Sequence, residues 1–174
     1  GASWNRAEIA SPIMGIYTNA SNAKDHVFLF GAETFSRFNK SSHEVTEGPL
    51  PAEMSPVFSV SAGLTKSGQP VFYALHNKND DDPDDEFGYT DLWISRDEGA
   101  SWKKLANAIL LNNGVTPSYS MIACAERDAE DAYIVANRYL EKTPTGDTLY
   151  WYGALKTADA GETWQWVWKG GGGS

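Results

Sequence analysis

The fold is decided by the stretch Ser95-Arg96-Asp97-Glu98-Gly99-Ala100-Ser101-Trp102, which recurs as Thr157-Ala158-Asp159-Ala160-Gly161-Glu162-Thr163-Trp164. Both copies follow the pattern Ser/Thr-x-Asp-x-Gly-x-x-Trp. The opening residues Gly1-Ala2-Ser3-Trp4 are identical to residues 99–102, so we expect the chain to begin inside a further copy. Because internal repetition is the signature of a repeat architecture, the repeat unit is the basis on which the fold is predicted.

Each copy has the composition of a β-hairpin turn. Strand-like residues precede it, at 91–94 and at 149–152, and a second short run follows it. The glycine permits a backbone conformation that other residues avoid, the aspartate can accept hydrogen bonds from turn amides, and the tryptophan ring can cover the hairpin. We therefore predict structural roles for the motif residues, which are Ser95, Asp97, Gly99, Trp102, Thr157, Asp159, Gly161 and Trp164.

Two further strands are predicted upstream of each hairpin. Apolar runs at 27–30, 71–74 and 133–136 recur in the same order, and each follows another strand-like run. The chain then divides into a leading strand (1–10), repeats at 11–50, 51–110 and 111–169, and a glycine-rich tail (170–174) that is either a linker or a natural loop. The repeat at 11–50 has only a degenerate turn around residues 37–41, which we expect to be less regular.

Short antiparallel strands repeated four at a time are typical of β-propeller blades. The sequence therefore predicts an all-β fold of about three four-stranded blades plus one leading strand. A closed propeller has about four to eight blades, so we expect a fragment of a larger propeller. Several chains that close one ring, or noncovalent completion by other segments, are the alternatives.

The net charge of the chain narrows the range of binding partners that we expect. The 174 residues carry a formal net charge of −9, which disfavours nucleic acid and anionic membranes because phosphate contacts need clustered Lys and Arg. The single cysteine, Cys124, lies in an apolar run and is predicted to be a small buried residue, so no internal disulfide forms.

The two motifs resemble the Asp box of the bacterial neuraminidase repeat, which is found in sialidases, xyloglucan-cleaving propeller hydrolases, sortilin-type receptors and a photosystem assembly factor. The resemblance implies that the boxes lie on the rim opposite the ligand site, so Asp97 and Asp159 are not catalytic candidates. The arginine triad, the Arg-Ile-Pro segment and the Tyr–Glu pair of sialidases are not assembled in this sequence, which disfavours a sialidase.

The opposite rim is where chemistry is expected. If the box turns join the third and fourth strands at one rim, antiparallel topology places the loops between second and third strands at the other rim. These loops are predicted at 33–36, 76–89 and 138–148. These loops and the residues beside them supply the catalytic candidates Glu33, His76, Asp91 and Glu141. The substrate-binding candidates are Arg138, Tyr89, Tyr139 and Phe35. For His76 a simple surface histidine is favoured over a general base or a group that orients a sugar hydroxyl. Arg138 could bind a sugar carboxylate or form an ion pair with Glu141.

The acidic stretch at 79–86 lies in one of these loops and has three interpretations. It could be a solvated surface loop, a calcium site with Asp80, Asp82 and Asp84 as ligands, or the source of a catalytic carboxylate. No other cofactor is required.

Two functions remain open at this point. The first is a secreted or periplasmic carbohydrate-active propeller, similar to a glycoside hydrolase or lyase, that binds an oligo- or polysaccharide across the face opposite the boxes. The alternative is a non-catalytic propeller that binds a protein or peptide, with the acidic loop docking a basic partner. In both, the remaining blades are expected from the same parent chain or from other chains.

Overall fold

The computed structural model describes residues 12–18, 25–78, 89–105 and 118–173. Twelve strands are found in this part of the chain, and a short 3₁₀-helix at Ala52–Met54 precedes the fifth. They are β1 Gly15–Tyr17, β2 His26–Phe30, β3 Thr34–Asn39, β4 Val45–Pro49, β5 Val57–Leu64, β6 Pro70–Lys78, β7 Tyr89–Ser95, β8 Lys103–Lys104, β9 Ser118–Ala125, β10 Asp128–Lys142, β11 Thr148–Thr157 and β12 Gln165–Gly173. Within the described ranges, no helix has the length and apolar character to cross a membrane.

The strands form three four-stranded antiparallel sheets, and neighbours in sequence are neighbours in each sheet. The first sheet contains β1–β4, the second β5–β8 and the third β9–β12. The prediction of an all-β fold with four strands per repeat is confirmed. In the central strand β6 all residues from 71 to 75 are apolar and fully buried, because successive side chains point to opposite faces of the sheet and both faces are covered.

Both turn motifs, residues 95–102 and 157–164, adopt the same hydrogen-bonded turn. Ser95 Oγ donates to Asp97 Oδ1 at 2.8 Å, and the Ser101 amide donates to the same oxygen at 2.8 Å. The matching bonds to Asp159 come from Thr157 Oγ1 (2.7 Å) and the Thr163 amide (2.8 Å).

The backbone of these turns explains the glycine. Glu98 and Gly99 have φ of 57° and 83°, and Ala160 and Gly161 have φ of 54° and 90°. Each turn thus has two consecutive residues with positive φ. Glycine at the second of these positions avoids the strain that a side chain would bring there.

The degenerate turn of the first sheet differs, as expected. There the side-chain oxygen of Asn39 accepts the amides of Ser41 (2.8 Å) and Ser42 (2.9 Å), and His43 has a positive φ of 62°. Asn39 therefore accepts amides two and three residues ahead, whereas each motif aspartate accepts the amide four residues ahead.

The motif aspartates are stabilised as carboxylates. Burial alone would raise the pKa of Asp97, but the hydroxyl and amide of Ser101 and the hydroxyl of Ser95 outweigh it and lower that pKa below its ordinary 3.8. Burial is likewise outweighed at Asp159, where bonds from Thr163 and Thr157 lower the pKa. Hydrogen bonds that need a negatively charged acceptor therefore hold both turns.

An aromatic cluster joins the first and second sheets. Phe28 and Phe30 are fully buried and contact Phe72 edge-on, with ring centroids 4.9 Å and 5.8 Å apart. Tyr17 Oη donates to the backbone oxygen of Val60 at 2.6 Å, and burial raises the pKa of Tyr17 to about 12. Aromatic burial and one cross-sheet hydrogen bond thus fix the first sheet against the second.

The second and third sheets pack through a larger core. Tyr73 and Leu75 of the second sheet and Ile134 of the third are fully buried in one cluster. Tyr73 Oη donates to the Ala129 backbone oxygen at 2.6 Å, and burial raises the pKa of Tyr73. A Cβ on Gly63 would lie 2.7 Å from the Glu126 backbone oxygen, so the sheets approach more closely than any side chain at that position would allow.

Hydroxyl groups of the second sheet bind the backbone of β9. The amides of Tyr119, Ile122 and Cys124 donate to Thr90 Oγ1 (3.1 Å), Ser59 Oγ (3.1 Å) and Ser61 Oγ (2.9 Å). Since β9 is an edge strand of the third sheet, these bonds satisfy donors that its own sheet does not.

The lowered pKa of Asp97 and Asp159 predicts a pH-dependent stability. Because the folded-state pKa lies below the unfolded value, both carboxylates stabilise the fold above about pH 4 and lose this contribution as the pH falls through the folded-state pKa. We expect Asp97→Asn/Asp159→Asn to be less stable than the wild type at pH 7, with a difference that shrinks in acid. Urea unfolding from about pH 7 down to about pH 2.5 measures it, and a difference that stays constant would contradict the prediction.

The hydrogen bond from Tyr73 to the Ala129 carbonyl predicts that Tyr73→Phe lowers the stability more than Tyr133→Phe does. Tyr73→Phe leaves the Ala129 carbonyl without this donor and should cost about 1–2 kcal/mol of unfolding free energy. Tyr133→Phe is the matched control, because Tyr133 is 45% exposed on the third sheet and should change stability by less than about 0.5 kcal/mol. Urea unfolding of both variants tests this, and equal losses would rule out the packing described above.

Candidate functional site

A cavity of about 480 Å³ opens at one end of the third sheet. Polar and aromatic side chains share its lining, which consists of Ser118, Asn137, Arg138, Tyr150, Trp151 and Tyr152. The three aromatic residues lie near the start of β11, whereas the turn motif follows the other end of that strand. The cavity therefore lies at the end of the third sheet away from its turn motif.

Strand alternation explains the aromatic wall. Tyr150 and Tyr152 lie two residues apart in β11 and so share one face of the sheet, where they are 50% and 51% exposed. Tyr152 is held edge-on against Trp168 of β12, with ring centroids 5.4 Å apart. Both tyrosine rings are thus half-exposed on the same face, and Trp168 supports the ring of Tyr152.

A bulge in β10 brings the polar residues to this wall. Ala136 pairs with Gly153 and Tyr139 with Trp151, so Asn137 and Arg138 together oppose a single residue of β11. An extra residue of this kind bends a strand and redirects side chains, and bulges are common beside functional sites. The bulge therefore places an amide and a guanidinium beside the aromatic rings.

Trp151 lines the cavity and also contacts Lys169 of β12. The ammonium of Lys169 lies 4.0 Å from the centroid of the Trp151 ring and 5.6 Å from that of Trp166, within cation–π range. The indole Nε1 of Trp151 is buried and has no hydrogen-bond partner among the described residues. This donor is therefore enclosed by the protein.

Of the sequence candidates whose side chains are described, Arg138 alone lines this cavity. It lies in β10, so its predicted place in a loop is wrong. Tyr139 is also in β10; it is buried and packs edge-on against Trp166 at 5.2 Å, so it does not offer a free ring. Trp151, which was not among the candidates, also contributes to the wall. The alternation of aromatic residues in 150–152 is the signal that could have identified the wall.

His76 and Asp91 are brought together as cross-strand partners in the second sheet. His76 lies in β6, is 8% exposed, and its Nδ1 donates to the Pro56 backbone oxygen at 2.9 Å, so its predicted place in a surface loop is wrong. Asp91 is half-buried and forms an ion pair with Lys104. Both groups are engaged within the protein and lie outside the cavity.

The remaining candidates are dispersed. Glu33 is exposed in the turn between β2 and β3. Phe35 was predicted in a loop but lies in β3, where it stacks on Phe28 with centroids 5.7 Å apart. The backbones of Tyr89 and Glu141 belong to β7 and β10, and their side chains lie outside the described part of the structure.

The predicted calcium ligands Asp80, Asp82 and Asp84 also lie outside the described residues, as does the stretch 79–88 that contains them. In the described ranges, no group of three or more His, Cys, Asp or Glu side chains could hold a metal ion.

A second cavity of about 490 Å³ lies between the first sheet and the turn motif of the second. Arg37 and Glu98 form an ion pair of 3.2 Å at its wall, beside Phe35 and Trp102. These residues hold two sheets together, so this cavity is a consequence of sheet packing at the motif end.

No family model matches the chain, and comparison with curated proteins finds no relative.

Proposed function

We propose that the three sheets are blades of an Asp-box β-propeller and that the cavity of the third sheet binds a glycan. Three features support the blade assignment: the meander order of each sheet, the face-to-face packing and the two identical motif turns. The ligand cavity lies away from the motif of its own sheet, as the resemblance to Asp-box proteins implies.

The cavity lining is the observation that carries the glycan assignment. A sugar ring has an apolar C–H face and equatorial hydroxyls, so it needs an aromatic surface together with hydrogen-bonding groups. Tyr150 and Tyr152 supply the rings, and Asn137, Arg138 and Ser118 supply amide, guanidinium and hydroxyl groups. A concave site with a few polar groups among apolar ones is the usual form of a small-ligand site.

The activity proposed for this cavity is glycan binding, and its lining residues are not proposed to cleave the glycan. Glycoside hydrolysis needs two carboxyl groups on opposite sides of the bond, and none of the described residues that line the cavity carries one. A polysaccharide ligand agrees with an extracellular or periplasmic protein, where such polymers occur.

Tyrosine substitutions test this proposal. We expect Tyr150→Ala and Tyr152→Ala each to weaken glycan binding about tenfold, because each removes a stacking surface worth on the order of 1.4 kcal/mol. Calorimetric titration with neutral glucan and acidic uronate hexasaccharides measures this and shows which class binds. Reducing-end release during the same incubation reports hydrolysis.

Tyr133→Ala is the matched control, since Tyr133 is a similarly exposed tyrosine that does not line the cavity. Its affinity should equal that of the wild type. The proposal fails if no glycan in the panel binds, or if the two cavity variants bind as well as the control.

A further inference from the structure

The turn between β3 and β4 carries a short sequence that neither the sheet packing nor the glycan cavity uses. Residues Asn39-Lys40-Ser41 follow the pattern Asn-x-Ser/Thr with a residue other than proline in the middle. This is the pattern in which the side-chain amide of asparagine accepts an N-linked glycan. We call these three residues the acceptor tripeptide. The same pattern recurs at Asn19-Ala20-Ser21, which lies outside the described residues.

The acceptor tripeptide lies at the surface of the first sheet. Its asparagine is the last residue of β3, and the two residues after it belong to the turn that leads to β4. Lys40 and Ser41 are exposed, as are the remaining turn residues 42–44. A glycan is bulky and hydrophilic, so an exposed turn of this kind is where the fold can accommodate one.

The two polar atoms of the Asn39 side chain have different roles. Its Oδ1 accepts the backbone amides of Ser41 at 2.8 Å and Ser42 at 2.9 Å. Because both partners are N–H donors, the atom that faces them must be the oxygen. The nitrogen Nδ2 is accessible to solvent and has no hydrogen-bond partner among the described residues. Nδ2 is therefore the atom that is available for a new bond.

A glycan on Nδ2 would leave this turn intact. Glycosylation replaces one hydrogen of Nδ2 and does not change Oδ1, so the oxygen still accepts both amides. Among the described residues, Ser41 contributes to the turn only through its backbone amide. The serine hydroxyl that completes the acceptor tripeptide is thus not needed for the fold.

We propose that Asn39 is the attachment site of an N-linked glycan. The donor is an oligosaccharide joined through its anomeric carbon to a lipid pyrophosphate, and an oligosaccharide transferase catalyses the step. Nδ2 forms a bond to the anomeric carbon and loses one proton, while the C–O bond breaks and the lipid pyrophosphate leaves with the bonding electrons. This modification belongs to secreted chains. The site lies on the first sheet and does not depend on whether the cavity of the third sheet binds a glycan.

Expression of the 174-residue chain in eukaryotic cells, after a cleavable secretion signal, tests the proposal. A second acceptor tripeptide, Asn-Ala-Thr, fused after Ser174 reports that the chain has met the transferase. Peptide mass spectrometry of the secreted and the cell-associated protein should find a glycan on Asn39. Peptide N-glycosidase should remove it and convert the modified asparagine to aspartate.

Ser41→Ala is the matched control, because it destroys the acceptor tripeptide but keeps Asn39 and the Ser41 backbone amide. It should carry no glycan on Asn39, whereas Ser41→Thr should keep the glycan. The glycosylated wild type should unfold at the same urea concentration as the unmodified chain from a bacterial host, because Oδ1 keeps both of its bonds.

Three results would overturn the proposal. The first is an unmodified Asn39 in chains whose fused acceptor tripeptide is occupied. The second is a glycan on Asn39 that persists in Ser41→Ala. The third is a glycosylated chain that unfolds at a clearly lower urea concentration, because the turn would then not tolerate the modification.

Discussion

The structure depends on hydroxyl groups of the second sheet that bind the exposed backbone of the third. An edge strand has amides that its own sheet does not satisfy, and leaving them buried without partners would cost free energy. Thr90, Ser59 and Ser61 accept three such amides of β9, while Tyr73 donates to a carbonyl of the same sheet. Apolar burial brings the sheets together, and these bonds determine how they are aligned.

Two ion pairs between successive sheets follow the same direction along the stack. Arg37 of the first sheet reaches Glu98 in the motif of the second, and Arg96 in that motif reaches Glu162 in the motif of the third at 3.2 Å. Exposed pairs of this kind contribute little stability, about 0–1 kcal/mol. Their consistent direction supports the equivalence of successive sheets.

The sequence predicts the strands well because each motif sets the phase of the strands before it. Once Asp97 and Asp159 are assigned to turns, the apolar runs at 71–74 and 133–136 must be central strands, and the structure agrees. The candidate site was predicted less well. Strand length depends on pairing with neighbours, and β10 extends to Lys142, so Arg138 and Tyr139 lie in a strand. The side on which Tyr150 is exposed depends on which face of the sheet is covered, and no local pattern records this.

Native-state hydrogen exchange followed by nuclear magnetic resonance tests the packing of the sheets most directly. The amides of Tyr119, Ile122 and Cys124 are bonded across the sheet interface, so they should exchange as slowly as amides of the central strand β10, despite their place in an edge strand. Fast exchange at these three positions, with protection retained in β10, would contradict the account, because it would mean that the third sheet is not held against the second.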